Sequence, residues 1–295
     1  MSERARWSHS KLVKLARCGE QFRRDEVDRE YAPPTSSMVR GTVVHAVAAD
    51  SHTRQLAGKA AHPDRPKSMV LRESLPGEDE AADLAATRFE YERKTNGIAI
   101  AEDDNDAPAP KVIGREKDSA VRMSRYFVTR VAPFVDPIAV EQKLVVEPKD
   151  SDIRVSGILD LVTVEPPLVP GGPQRRGVRD YKTSQRSPNS NEADTSEQLS
   201  MYALLDSLAT GSIADVFALD YVVEDPRQFS GPPYRVSLES TRTDEDVRVI
   251  VEKLNVSIDA VKAGVFLPAP PNSWWCSSRF CRHWASCKFV SKARR

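Results

Sequence analysis

Two apolar runs, 153–164 and 177–183, are separated by a break containing Pro166-Pro167 and Gly171-Gly172-Pro173. Runs of this length, bounded by turn residues, predict two strands joined as a hairpin. The first carries Asp160, in Val155-Ser156-Gly157-Ile158-Leu159-Asp160, and the second ends on Asp180-Tyr181-Lys182. Side chains two apart on a strand share a face, so Asp180 and Lys182 point one way and Tyr181 points into the core. The hairpin would set Asp160 beside Asp180. Two hard oxygen ligands on adjacent strands suit Mg²⁺ or Mn²⁺. Water acidified by such an ion attacks phosphorus, while a lysine orients that water or offsets charge building up on the phosphate. Taken alone, D-x-K is a weak signal, because a chain with 29% charged residues produces such triplets by chance, usually on a solvated strand edge.

The surrounding motifs sharpen the reading. Gly41-Thr42-Val43-Val44-His45 opens an amphipathic helical stretch upstream, and downstream Gln198 and Tyr202 share a helix face at i, i+4. A lone His45 on an apolar helix face reads as a satisfied core histidine, and Gln198 and Tyr202 alone read as helix surface. The ordered set G-x-x-x-H, G-x-x-D, D-x-K, Q-x-x-x-Y, however, resembles the nuclease domains of the RecB and AddB type within the PD-(D/E)XK superfamily. That resemblance implies a metal site of His45, Asp160, Asp180 and the main-chain carbonyl of Tyr181, with Lys182 as the catalytic lysine. It also implies that Gln198 and Tyr202 contact DNA or order the site. Glu141 sits where many relatives carry an acidic residue near the metals, although Lys143 could pair with it on the same strand face.

The four cysteines, Cys18, Cys276, Cys281 and Cys287, are the full complement of one metal site. Residues 1–30 are studded with charges and lack the apolar core of a secretory signal, so a reducing cytoplasm is expected, that of the host if the protein is phage-encoded. One cysteine before the core and three after it is similar to AddB-type and CRISPR-associated RecB-like nucleases and their phage homologues, which hold a 4Fe-4S cluster. The resemblance therefore implies such a cluster, stapling two distant parts of the chain. The family triplet is usually C-x₂-C-x₅-C, whereas here four residues separate Cys276 from Cys281. A 2Fe-2S cluster, Zn²⁺ with His283 as a substitute ligand, or unligated buried thiols remain as alternatives. Residues 274–295 carry six basic residues (Arg279, Arg282, Lys288, Lys292, Arg294, Arg295) and no acidic ones. Such a segment suits phosphates, and its aromatics suit unpaired bases. For Trp274, Trp275 and Trp284, shielding of the cluster is the expected role.

Helices are expected at 8–27, 41–58, 80–96, 115–131, 192–208 and 244–263, strands at 138–147, 153–164, 177–183, 215–224 and 234–239, and a mobile acidic linker at 101–111. This is the order the resemblance implies for an α/β fold. A central mixed β-sheet flanked by helices, as in a restriction-endonuclease-like core, would be joined by a helical N-terminal part and a C-terminal iron-sulfur segment. The implied organisation is a helix carrying the first cysteine at 1–30, a helical subdomain with the motif histidine at 31–135, the nuclease core at 136–265 and the cysteine segment at 266–295.

Basic and acidic residues balance at 43 each, so net charge names no partner. No apolar run approaches the ~18 residues of a membrane span. There is no G-x-x-x-x-G-K-[ST] loop, so ATP-driven unwinding is excluded and a nuclease of this kind would work from an end or on open strands. The expected function is a Mg²⁺- or Mn²⁺-dependent DNA exonuclease acting on single strands or duplex ends in recombination, repair or phage DNA metabolism. A strand-annealing recombination protein and a homo-oligomer are the partnerships this leaves open. A non-catalytic DNA-binding adaptor and endonucleolytic trimming in CRISPR spacer acquisition are the alternatives.

Overall fold

Both expected strands form, at the centre of a six-stranded mixed sheet. The computed structural model describes residues 6–30, 32–100, 108–147, 154–225, 231–277 and 280–290. The elements run β1 (Arg6–Trp7), α1 (His9–Arg17), α2 (Gly19–Phe22), a π-helical turn (Arg23–Val27), α3 (Ser36–Ala61), α4 (Lys67–Glu73), α5 (Glu78–Asn96), α6 (Ala109–Arg130), β2 (Asp136–Val146), β3 (Arg154–Glu165), β4 (Arg175–Ser184), α7 (Glu197–Thr210), β5 (Val216–Val223), β6 (Tyr234–Ser240) and α8 (Asp244–Lys262). The expected linker at 101–111, the strand start at 153, and Arg279, Lys292, Arg294 and Arg295 lie wholly or largely outside the described residues.

β3 pairs antiparallel with β2 along one edge. Its other edge is shared: β4 takes the end from Leu161 to Glu165, and β1 takes Arg154 and Val155 in parallel. β4 pairs in parallel with β5, a geometry that needs a crossover, and α7 supplies it. β6 closes the far side antiparallel to β5. β5 is buried along its whole length, as its near-continuous apolar sequence requires.

Alternation along the strands feeds two cores, one on each face. Val155, Leu159, Val178 and Leu219 pack with Leu199, Leu205, Ile250 and Leu254 of α7 and α8. Leu161, Tyr181 and Val222 pack on the opposite face with Val43 and Val47 of α3, Phe89 of α5 and Phe127 of α6. The architecture is thus a mixed sheet between helical layers, as expected. Among the described residues no helix is long and apolar enough to cross a membrane.

Several elements depart from the sequence reading: β1 and α4 were not expected, and α6 begins at Ala109, within the expected linker, rather than at 115. The helix expected at 8–27 breaks at Cys18, whose backbone is extended (φ −161°, ψ 104°) and whose sulfur caps α2 by accepting from Gln21 N–H at 3.5 Å. α3 begins not at Gly41 but at Ser36, capped by Thr35, whose hydroxyl accepts from Met38 N–H. α7 begins at Glu197 because Ser196 caps it, and residues from Glu192 to Thr195 form turns instead.

Residues 266–277 and 280–290 fold back onto α1, α2 and the π-helical turn. Gly19 N–H donates to Leu267 O at 2.6 Å, and Trp275 Nε1 to Arg17 O at 3.2 Å. A Cβ at Gly19 would fall 2.6 Å from Leu267 N, so only glycine allows this approach. Asp25 gathers Lys14, Arg282 and His283 at 3.0, 2.6 and 2.7 Å.

Candidate active site

The antiparallel ladder of β3 and β4 ends at Leu161 opposite Arg179. Continued by one residue, that register sets Asp160 opposite Asp180, so the strands part where the two carboxylates stand. Tyr181 N–H donates to Asp160 Oδ2 at 3.0 Å across the fork. Just below it, Arg179 locks the sheet. Its guanidinium donates to both oxygens of Glu165 on β3 at 2.7 and 2.8 Å and to Asp220 on β5 at 3.0 Å, and Asp220 in turn accepts from Arg235 on β6 at 2.6 Å. A buried network that satisfies every charge resists shear between strands, and this one fixes the fork.

Asp180 and Lys182 share the α7 face as the strand period demands. Gln198 and Tyr202, one turn apart, meet them. Lys182 Nζ donates to Gln198 Oε1 at 2.7 Å and lies 2.6 Å from Asp180 Oδ2. Gln198 Nε2 donates to Asp180 Oδ1 at 2.6 Å and to the Tyr202 hydroxyl at 2.8 Å, and that hydroxyl donates to Asp180 Oδ1 at 2.9 Å. Leu205 of α7 packs over Gly157, where a Cβ would meet its Cδ1 at 2.5 Å.

Tyr181 turns to the opposite face, as expected. Its hydroxyl lies 2.8 Å from His52 Nε2, while His52 Nδ1 lies 2.7 Å from Gln55 Oε1. Gln55 Nε2 donates to the carbonyls of Leu71 and Ala132. β4 is thereby pinned to α3 directly behind the site.

His45 comes from α3, with Nδ1 3.2 Å from Asp160 Oδ2. Glu141 comes from β2, at a backbone φ of +47°, a left-handed conformation rare for a residue with a side chain. His45, Glu141 and Asp160 each offer a ligand atom within 4.8 Å of the others. Two carboxylates and an imidazole so converged fit a divalent cation of the Mg²⁺ or Mn²⁺ kind. Glu141, which the sequence left beside Lys143, thus joins the group, whereas Asp180 stands at its edge, held by Gln198, Tyr202 and Lys182.

The electrostatics agree with a cation-seeking site. Burial, and then the charge of Asp160, push the Asp180 carboxyl above its ordinary range. Desolvation followed by Asp160 does the same to Glu141. Burial opposes a charge on His45, but its contact with Asp160 and the charges of Asp160 and Asp180 win and raise it.

At the cysteine segment, no disulfide joins Cys18, Cys276, Cys281 and Cys287, and all four are half-buried. Ala269 N–H donates to Cys18 Sγ at 3.3 Å. Burial raises the Cys281 thiol, and the charges of Cys18, Cys287 and Cys276 all reach it and raise it further. No three of these sulfurs lie within 4.8 Å of one another. His283 is turned away as a ligand, with Nε2 2.7 Å from Asp25 Oδ1 and Nδ1 3.7 Å from Glu30 Oε2. Trp274, expected as a shield, is 60% exposed and meets Trp275 and Phe280 edge-on.

Sequence reasoning missed His9. Burial, and next the charge of Lys182, lower its pKa to about 4. A single histidine between two serines gives no periodic or motif signal that could have found it.

A mixed sheet that forks at paired carboxylates, with a lysine and a histidine-carboxylate group beside them, defines the class of metal-dependent phosphodiesterase cores. The model of the PD-(D/E)XK nuclease superfamily matches residues 6–288, and the chain belongs to that superfamily. No curated protein matches the chain significantly.

Proposed function

We propose that this protein is a Mg²⁺- or Mn²⁺-dependent DNA exonuclease that acts on single strands or duplex ends in recombination, repair or phage DNA metabolism. The observation that carries this reading is the convergence of His45, Glu141 and Asp160 within 4.8 Å beside the Asp180 and Lys182 pair. His45, Asp160, Glu141 and Asp180, with the carbonyl of Tyr181, would hold the metal. The ion supplies Lewis acidity, which polarises the phosphate and makes bound water more acidic.

The remaining work falls to the chain. Lys182 is the one cation among the expected catalytic side chains, and its ammonium orients the attacking water or offsets charge on the phosphate. Gln198 and Tyr202 keep Asp180 from rotating away, and the Tyr202 hydroxyl, pushed well above its ordinary pKa by burial and then by Asp180, stays a neutral donor. His52 holds Tyr181 and with it the backbone that carries both Asp180 and Lys182.

For the cysteines the reading is a 4Fe-4S cluster. His283 is engaged by Asp25 and Glu30, which disfavours zinc with that histidine as a substitute ligand.

The test is cleavage of end-labelled single-stranded, duplex and covalently closed circular DNA with Mg²⁺ or Mn²⁺, using anaerobically purified wild type and Lys182→Ala. Shortening of linear DNA from an end, absent in the variant, is the expected result. Tight binding without cleavage by the wild type would replace the nuclease with a DNA-binding adaptor.

A further inference from the structure

Between the stretch of β3 that pairs with β1 and the stretch that pairs with β4, one edge of β3 is left open. A cleft of about 530 Å³ lies along it, walled by Arg6, Ser8 and His9 on one side, Lys143 of β2 on another, and Gln198 and Tyr202 of α7. Gln198 and Tyr202 are the residues that hold Asp180, so the cleft opens directly onto the hydrolytic site.

Its chemistry is opposite to that of its neighbour. The metal group is made of carboxylates, whereas no carboxylate lines the cleft among the described residues. Two exposed cations, Arg6 and Lys143, flank it, serine hydroxyls lie between them, and Leu144, Val145, Ile158 and Met201 add an apolar surface on which a base or sugar can rest. Burial and Lys182 keep His9 neutral at physiological pH, with Arg17 acting the same way and Glu197 acting against it. A neutral imidazole always has one ring N–H to donate. A groove of this size, cationic at its flanks and apolar between them, beside an acidic centre suits one nucleotide unit of a polymer whose next unit is in reaction.

We propose that this cleft seats the nucleotide adjacent to the scissile bond, with His9 donating a ring N–H to its phosphate and Arg6 and Lys143 neutralising that phosphate's charge. The proposal rests on the nuclease reading above, and His9 is then a substrate-contacting residue of that site.

The test is fluorescence anisotropy with a labelled single-stranded oligonucleotide at pH 8, with Ca²⁺ as the cation, so that binding is read without turnover. His9→Ala should weaken binding about tenfold, the effect of removing one hydrogen bond to a charged group. His9→Gln, which keeps an N–H donor, should recover most of it. Both substitutions are compatible with a first helical position, which a thermal melt verifies. The double substitution Arg6→Ala, Lys143→Ala should flatten the dependence of log K on log salt by about 0.7 for each phosphate no longer neutralised, while His9→Ala leaves the slope alone. In turnover assays His9→Ala should raise KM more than it lowers kcat. Normal binding by His9→Ala, no recovery in His9→Gln, or an unchanged slope in the double variant would overturn the proposal. A wild type that binds in this way but cuts nothing would instead sink the nuclease reading and leave the cleft standing.

Discussion

Lys182 Nζ donates to Gln198 Oε1 at 2.7 Å, and this contact decides which way the Gln198 amide faces. With its oxygen committed to the lysine, its nitrogen must face Asp180 and Tyr202. One neutral side chain thus bonds the cation and the anion of the site at once and fixes how each is oriented.

Gln198→Ala removes that bridge without touching any charge. Turnover should fall about 10- to 100-fold, the worth of one to two hydrogen bonds to charged groups, with DNA affinity nearly unchanged. Steady-state kinetics beside an equilibrium binding curve check this; wild-type kcat would show that Gln198 is ordinary helix surface.

Glu141 sits at φ +47°, where a side chain costs about 1–2 kcal/mol. Glu141→Gly relieves that strain at the expense of a more flexible unfolded chain, so the thermal midpoint should hold or rise slightly while Mn²⁺ affinity by calorimetry and cleavage both drop. A clear loss of stability would mean that the carboxylate supports the fold rather than the metal.

His52 is 1% exposed, and burial holds its pKa at about 4 against the usual 6.5. Between those values the unfolded chain takes up a proton that the folded chain refuses. Its contribution is complete above pH 6.5 and is lost as pH falls towards 4, at roughly 1.4 kcal/mol per pH unit and about 3 kcal/mol in all. Urea unfolding across that window should show this slope in the wild type and a shallower one in His52→Gln; parallel curves would refute it.

Cys281→Ala should abolish the brown colour and iron content of anaerobically purified protein and lower its melting temperature. Iron and zinc analysis of the wild type is the control, and colourless protein loaded with zinc would show that the cluster assignment is wrong.

Gly19→Ala places a methyl group 2.6 Å from the backbone of Phe266 and Leu267. Overpacking of this kind costs about 1–3 kcal/mol, and it should appear as faster proteolysis after residue 266 with the sheet intact. Cleavage at the wild-type rate would show that the approach is more yielding than the geometry indicates.

The central strands and the shared face of Asp180 and Lys182 were legible from the strand period of two, whereas Gln198 and Tyr202, a turn apart but reading alone as helix surface, were legible only through the resemblance of the ordered motif set. What was illegible had no period. β1 is two residues long, too short to alternate. The break at Cys18 involves no proline, and it coincides with contacts distant in sequence, Gly19 N–H on Leu267 O and Ala269 N–H on Cys18 Sγ. The start of α3 was misplaced because Gly41 looked like punctuation, while the cap that matters is Thr35. The backbone twist at Glu141 and the placement of His9 in a cleft with Gln198 and Tyr202 depend on tertiary contacts, which no local pattern encodes.

The seat of α2 and the π-helical turn is built partly from Leu267, Arg282 and His283. On a ribosome these early segments emerge well before the residues they wait for. The sheet can pair and both apolar layers can close while Cys18 is still unaccompanied and Asp25 lacks Arg282 and His283. On the proposed reading, a cluster held by all four cysteines can be completed only after Cys287 has been made, so timing enters as well as packing.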